Sequence, residues 1–288
     1  FYIDQNLGGS DFTPTDVRTI DYTLTDADYK AIVTNKPVLI QVLSSFLSGF
    51  SIGKSRTNFY IDVIGSITWK TIVGIPAFPV KFISYSFVEP LRKKFSTKAL
   101  WIFEDAWTDM LWMIVFGVGS INNNFQKKHI ILPMMGIEEI FEMCIYGLRR
   151  VIPAEISNES MDYCEWKNGY RAEAMIGVAQ STISKLQQAI MGSVNSIVMK
   201  KVGYVQGLKV GTQSDKTKWW IFALGTGIPI ITSSLGIIPK FFYPLSAEKR
   251  DLMYSELRER RSRVADKMNN ATTAEEIAEI AESQFIVK

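Results

Sequence analysis

Ionisable side chains inside otherwise apolar stretches are the first chemistry visible in this sequence. Glu138, Glu142, Tyr146 and Arg149–Arg150 follow one another at roughly helical spacing and form a continuous stripe. Such a stripe could bind cations, relay protons or pair to close a gate. Arg149 and Arg150 suit an anionic group such as a carboxylate, because a guanidinium binds carboxylates bidentately; as residues near a membrane end they serve equally as topology anchors. Glu104, Asp105 and Asp109 stand in the preceding apolar stretch, and the first two read as solvated near an interface. A further face carries Ser44, Ser48, Ser51, Ser55, Asn58 and Asp62, with Lys54 and Arg56 nearby and Leu39, Leu43, Phe46 and Phe50 largely opposite. The serines by themselves fit close helix packing. Asn58, Asp62 and Lys54 point instead to a cavity, since a charge facing lipid costs several kcal/mol. Gln180, Ser181, Ser184, Lys185, Gln188, Gly192 and Asn195 repeat the design, opposite Ala179, Ile183, Leu186, Ile190 and Val194. Lys185 lies about four helical turns from Arg171, near mid-membrane. It reads either as a functional cation or as one paired to fix the fold.

Other chemistries find no residues to carry them. One histidine, His129, supports neither a histidine metal site nor a Ser-His-Asp triad, and Cys144 and Cys164 lack metal-ligand spacing. No phosphate-cradling loop occurs, so there is no case for an enzyme, a catalytic residue, a metal or a cofactor. A net charge of +3 offers no electrostatic case for nucleic acid.

The elements that must position these groups are long. The chain has 288 residues, 47% hydrophobic and 21% charged, with a mean hydropathy of +0.07. That average hides polar ends around an apolar middle. The opening 36 residues hold six Asp against three Lys and Arg, and the 43 residues from Ser246 are charge-rich. Between them six spans are expected, at about Pro37–Gly65, Thr71–Leu91, Ala99–Ser120, His129–Ile152, Ala172–Met199 and Trp219–Tyr243. Each reaches the roughly 20 residues a bilayer requires, yet none is a clean oily run, which suits helices turning polar faces inward. A soluble helical bundle is the alternative. Arg92, Lys93, Lys94, Lys98, Lys167, Arg171 and the basic tail put both ends inside, whereas Lys200, Lys201, Lys209, Lys216 and Lys218 spoil the rule. The chain begins at Phe1 without a signal-peptide pattern, and a fragment missing its N-terminal portion is expected.

Between the fourth and fifth spans runs NESMDYCEWKNGYRAEAMIGVAQSTISK, residues 158–185, read as a loop of alternating charge. It resembles the signature of the glycoside–pentoside–hexuronide:cation symporters, the melibiose-permease family of the major facilitator superfamily, roughly Asp-x-x-Asp-Tyr-Gly-Glu-Trp-Lys-x-Gly-x-Arg-x-Glu. Asp162, Tyr163, Glu165, Trp166, Lys167, Gly169, Arg171 and Glu173 match it; Cys164 replaces a glycine and Glu159 the first aspartate. NKPVLIQVLSSFLSGFSIGKSRTNFYIDVIG is similar to that family's seventh helix, EPLRKKFSTKALW to its basic loop between the eighth and ninth, and FYPLSAEKRDLMYSELRERR to the segment after its last helix.

The resemblance implies an all-α membrane protein of six transmembrane helices, one half of a major-facilitator fold. Residues 1–36 would be the central cytoplasmic loop, 37–243 the C-terminal six-helix bundle and 244–288 a cytoplasmic helical tail, where Thr273 and Glu276 form a capping box. It implies inner-membrane symport of sugars, glycosides or hexuronides with Na⁺ or H⁺. The cation would be held mainly by an N-terminal six-helix partner half absent from this chain. Gln180 and Ser181 stand where the family has a sugar-binding Gln-Thr pair, and Lys185 where it has a lysine near the cation. Substrate-site candidates are therefore Gln180, Ser181, Lys185, Tyr146, Arg149 and Asn58, and gating candidates Asp162, Glu165, Lys167, Arg171 and Glu173. The heavy charge of the third and fourth spans departs from a simple neutral-sugar permease and fits either a charged solute such as a hexuronide or a divergent branch with another solute. A membrane sensor or assembly subunit that keeps the fold without transporting is the other class that fits.

Overall fold

A computed structural model of the chain describes residues 33–50, 56–169 and 173–270, with the side chains of 173–176 and 179 excepted. Ser51, Lys54, Ser55, Arg171, the Glu173 side chain, most of the proposed central loop and the Thr273–Glu276 capping box lie outside the described residues. What is described is helical, with no strand among those residues. In chain order the helices are α1 (Lys36–Ser48), α2 (Arg56–Asn58), α3 (Thr68–Gly74), α4 (Ala77–Ile83), α5 (Val88–Lys94), α6 (Thr97–Ser120), α7 (Lys128–Met143), α8 (Tyr146–Asn168), α9 (Glu173–Lys201), α10 (Asp215–Lys240) and α11 (Ala247–Asn270). A π-helical segment, Phe59–Ile64, continues α2.

Local sequence explains the element ends. The Asn35 side chain accepts from Val38 N at 3.2 Å while Pro37 occupies the first turn of α1, where its missing N–H costs nothing. Ser96 caps α6 through Ala99 N and Ser214 caps α10 through Thr217 N, both at 3.2 Å. Gly169, at φ 82°, closes α8 in the left-handed conformation that a side chain resists. Asn122 and Asn123 adopt the same region, at φ 48° and 55°, to turn the chain between α6 and α7.

Two expected spans are broken. The second bends by 45° between Thr68–Gly74 and Ala77–Lys94, around Pro76, which has no N–H to continue the helical ladder. The fourth is interrupted at Cys144–Ile145, and its second arm runs on to Asn168. Asp162, Glu165 and Lys167, expected on a loop, therefore stand on a helix. Among the described residues, α10 alone is long and apolar enough to cross a membrane unaided; the bent pair passes the same test when taken together. The helix α6 has the length but carries Glu104, Asp105 and Asp109.

At the centre, α10 packs on α1 and α6. Ser44 is buried and donates to Gly236 O at 2.7 Å, and Ser48 lies against the same glycine, so these two serines serve close helix packing. Two apolar clusters flank this crossing. In one, the Phe222 ring stacks on Phe125 and Phe116, with centroids 5.3 and 5.7 Å apart. In the other, Leu100, Trp101, Leu148, Ile152 and Ile156 meet Met253 and Leu257 of α11. Lys240, 4% exposed, is neutralised by Asp105 at 2.6 Å and donates to Trp101 O at 3.1 Å. Glu104 is buried with one oxygen lacking a partner, which corrects the expectation that it is solvated. Phe78, Phe82, Ile75 and Phe242 remain exposed and present an apolar outer surface.

A Cβ at position 236 would lie 2.7 Å from Ser48 Cβ and 2.9 Å from Ser44 O, whereas one at Gly117 would meet nothing within 4 Å. Gly236→Leu is expected to push α1 off α10 and cost about 1–3 kcal/mol. Gly117→Ala should instead raise stability by up to about 1 kcal/mol through helix propensity. Thermal unfolding of the detergent-solubilised variants measures both.

Candidate functional site

Three helical features converge on one polar space. Arg56 and Thr57 open the short α2, and Tyr60 follows on the π-helical segment. Glu138, Glu139 and Glu142 stand on α7, with 138 and 142 one turn apart on one face. On α10, Pro229 lacks an N–H, so the Gly225 carbonyl loses its helical partner, and both residues line the space. The cavity has a volume of about 500 Å³, and Lys70 of α3 and Trp112 of α6 complete its polar wall.

Glu142 is the hub of this wall. Its carboxylate lies 3.6 Å from the Arg56 guanidinium, is ion-paired by Arg149 and accepts from the Trp112 indole at 3.4 Å. Arg56 stacks over the Trp112 ring, 3.4 Å from its centroid, a favourable place for a cation. The guanidinium still keeps 38% of its side-chain surface exposed. Glu138 differs: it is 3% exposed, and no donor reaches either of its oxygens. Cations and carboxylates thus share a partly buried wall in which each charge depends strongly on its neighbours.

The expected site residues do not come together in one place. Arg149 joins this cavity through Glu142. Tyr146 does not: it turns to Arg150, which donates to its hydroxyl at 3.0 Å, and to Lys81, 4.4 Å over its ring. Asn58 is half-buried beside Arg56 and Thr57 but is not part of the lining. Gln180 belongs to a second cavity of about 270 Å³ between α1, α8 and α9. There it donates to Gln41 at 3.1 Å, and Gln41 donates to Ser160 at 2.7 Å. Ser181 and Lys185 are exposed on α9 outside both cavities, with Ser181 bonded to Val178 O of its own helix. Arg56, Tyr60 and Trp112 were not among the expected site residues. For Arg56 the signal was present, a guanidinium inside an apolar span.

The signature residues occupy a third place, under the tail helix. Arg261 of α11 bonds Asp162 at 2.9 Å and both oxygens of Glu165 at 2.9 and 2.5 Å. Trp166 donates to Glu256 at 2.6 Å, and Lys167 sits 4.5 Å over the Trp166 ring. Arg250 reaches Thr97 at 2.7 Å and Glu159 at 3.4 Å, while Tyr243 donates to Glu159 at 3.1 Å. Met253 and Leu257 are fully buried beneath these contacts. Burial pushes the Glu159 carboxyl above the usual range, against the opposing pull of Arg250 and Tyr243. Burial, with Asp162 alongside, likewise pushes the Tyr254 hydroxyl up to about 12.

Magnitudes identify what holds α11 down. Emptying the Leu257 site costs about 2–5 kcal/mol, whereas a half-exposed ion pair such as that of Arg261 is worth about 1 kcal/mol or less. Leu257→Ala is therefore expected to release α11 to protease and hydrogen exchange, and Arg261→Ala to loosen it only slightly. For Glu159 the folded state binds the proton more tightly than the unfolded chain. Its contribution is greatest below the ordinary carboxyl range and weakens as pH rises through the raised value. Glu159→Gln should flatten that slope in unfolding curves recorded across pH.

Comparison with known proteins gives the family. The family model of MFS/sugar transport proteins matches residues 24–247. A sulfoquinovose importer of Escherichia coli (strain K12) is 24% identical over 242 residues, covering 81% of this chain and 48% of that protein. The isoprimeverose transporter of Lactiplantibacillus pentosus is 26% identical over 128 residues, 43% of this chain and 27% of that protein. A sulfoquinovose importer of Salmonella typhimurium LT2 is 28% identical over 107 residues, 36% of this chain and 21% of that protein. The chain thus spans about half the length, or less, of these relatives, all named as transporters rather than enzymes. With more than half of its residues inside the family match, the chain belongs to the MFS/sugar transport protein family.

Proposed function

We propose that this chain is the C-terminal half of a cation-coupled sugar symporter of the inner membrane, and that its substrate is an anionic sugar. The spans would be α1 with α2, the bent α3–α5, then α6, α7 with α8 as far as about Ile152, α9 and α10, the rest of α8 lying at the cytoplasmic side. Residues 1–36 would form the central cytoplasmic loop, 37–243 the six-helix bundle and 244–288 the cytoplasmic tail. Transport would proceed by rocking of this bundle against an N-terminal half, which would supply most of the Na⁺ or H⁺ site. Ligand and cation would shift the balance between inward- and outward-open states by binding them unequally.

The observation that carries the substrate class is Arg56. A neutral sugar asks for hydroxyl and amide partners; a partly exposed guanidinium over an indole, with Lys70 on the same cavity, suits a carboxylate or sulfonate. The sulfonated sugar in the names of two relatives is of that class. Gln180, Ser181 and Lys185 would complete the sugar site from α9, which packs on α1 and leaves Ser181, Ser184, Lys185 and Gln188 exposed toward a partner half. The cluster of Asp162, Glu165 and Lys167, with Arg171 and Glu173, would gate the cytoplasmic side, α11 holding its first two members in place.

Counterflow of labelled sulfoquinovose and of a neutral glycoside, in proteoliposomes of the full-length protein, tests this. Arg56→Ala should lower sulfoquinovose exchange roughly 10- to 100-fold, the value of a lost charge-assisted contact, and Lys185→Ala should also impair it. Exchange of the neutral glycoside alone, indifferent to Arg56, would overturn the anionic-sugar reading. Absence of exchange for any solute would favour the sensor or assembly subunit. Undiminished uptake in Lys185→Ala would remove that lysine from the mechanism.

A further inference from the structure

Glu138 and Glu139 are the acidic groups of the main cavity outside the ion pairs around Glu142, and Glu138 is the buried one of the two. It lines the cavity and is almost wholly buried, and neither carboxylate oxygen has a donor. Glu142 stands one helical turn further along the same face of α7 and lines the same cavity. Two bare carboxylates repel at that separation, whereas a carboxyl and a carboxylate sharing one proton attract. We propose that Glu138 and Glu142 together form a proton-binding site within this half, loaded when an anion takes Arg56 away from Glu142.

The surrounding groups give the site its direction. Arg56 and Tyr60 face it from α2 and the π-helical segment, Lys70 from α3, Glu139 from its own helix α7, and Arg149 through its ion pair with Glu142. Without ligand, Arg56 and Arg149 both neutralise Glu142 and hold it as an acceptor. A sulfonate or carboxylate on Arg56 replaces Glu142 as that cation's partner. Glu142 then keeps Arg149 alone, beside the donor-free Glu138, and one proton from cavity water binds between the two carboxyl groups as O–H···O. One negative charge and one positive charge enter together, so the loaded wall carries no net change of charge. Lys70 donates to Thr57, the neighbour of Arg56, at 2.8 Å, where it can share the anion without displacing a carboxylate. The proposal rests on the anionic-sugar reading for the trigger, although not for the existence of the shared proton.

Two readouts on the full-length protein in detergent separate those parts. Infrared difference spectra recorded across pH should show one buried protonated-carboxyl stretch that titrates, and it should vanish in both Glu138→Gln and Glu142→Gln. Glu138→Asp keeps the acid and should shift the band rather than abolish it, a control should either glutamine variant fold poorly. Addition of sulfoquinovose in weak buffer with a pH indicator should take up about one proton per sugar bound. Above the midpoint of that titration, wild-type affinity should fall about tenfold per pH unit, and Glu138→Gln should bind with little pH dependence. A titrating band without sulfoquinovose binding would retain the proton site and discard the anionic-sugar reading. A band unchanged in both glutamine variants, a band moved by Na⁺ at fixed pH, or sugar binding without proton uptake would overturn the proposal.

Discussion

Charges inside this bundle can persist only where other charges and polar groups surround them, and that constraint organises the molecule. An isolated ion in an apolar interior costs several kcal/mol or more, and Lys240, Glu159 and Glu142 each draw partners from separate helices. Lys240 ties the end of α10 to Asp105 and to a carbonyl of α6. Arg250 ties α11 to Glu159 of α8 and to Thr97 of α6. Glu142 collects Arg56 from α2, Arg149 from α8 and the Trp112 indole from α6. These contacts stabilise little beyond what apolar packing of similar volume would give. Their effect is to fix which helices are neighbours and to hold open a polar cavity in an otherwise oily assembly.

The cavity follows from local departures from regular helix. A π-helical segment after Arg56, a proline in α10 at its wall and the break between α7 and α8 all lie around the same charged groups. Unwound or widened backbone is tolerated at membrane depth where it borders water or protein, which matches these positions. The irregular backbone and the charged wall are two sides of one arrangement. Breaks also permit neighbouring segments to pivot, and a transporter requires such points. The tail helix, by contrast, is seated by Met253 and Leu257 and gives the signature residues of α8 fixed counter-ions.

Much of the fold was legible because helical periodicity is local. The face of Ser44 and Ser48 reads directly as a packing surface, and its partner glycine, Gly236, lies on α10, the one helix among the described residues long and apolar enough to span a membrane unaided. The lengths of α6, α9 and α10 follow from apolar runs and from caps such as Ser96 and Ser214. The helical extension of α8 was harder to see, since its last turns carry alternating charge that looks like loop until α11 is found covering it. The cavity was least legible. Arg56 and Glu142 are far apart in sequence, and no local pattern pairs them; they meet at Trp112 of α6, whose ring Arg56 covers and whose indole donates to Glu142. Arg149 could be read from the α7–α8 stripe, whereas Tyr146 belongs to the same stripe and turns elsewhere.

The central claim is that the wall formed by Arg56, Glu139 and Glu142 borders water rather than acyl chains. Spin labels on single cysteines at Thr57 and Glu139, in the full-length protein reconstituted into bilayers, measure this directly. Collision with a water-soluble paramagnetic reagent should be frequent and collision with oxygen rare at both positions, and the pattern should reverse at Phe82 on the exposed apolar surface. Lipid-like accessibility at Thr57 and Glu139 would contradict the account.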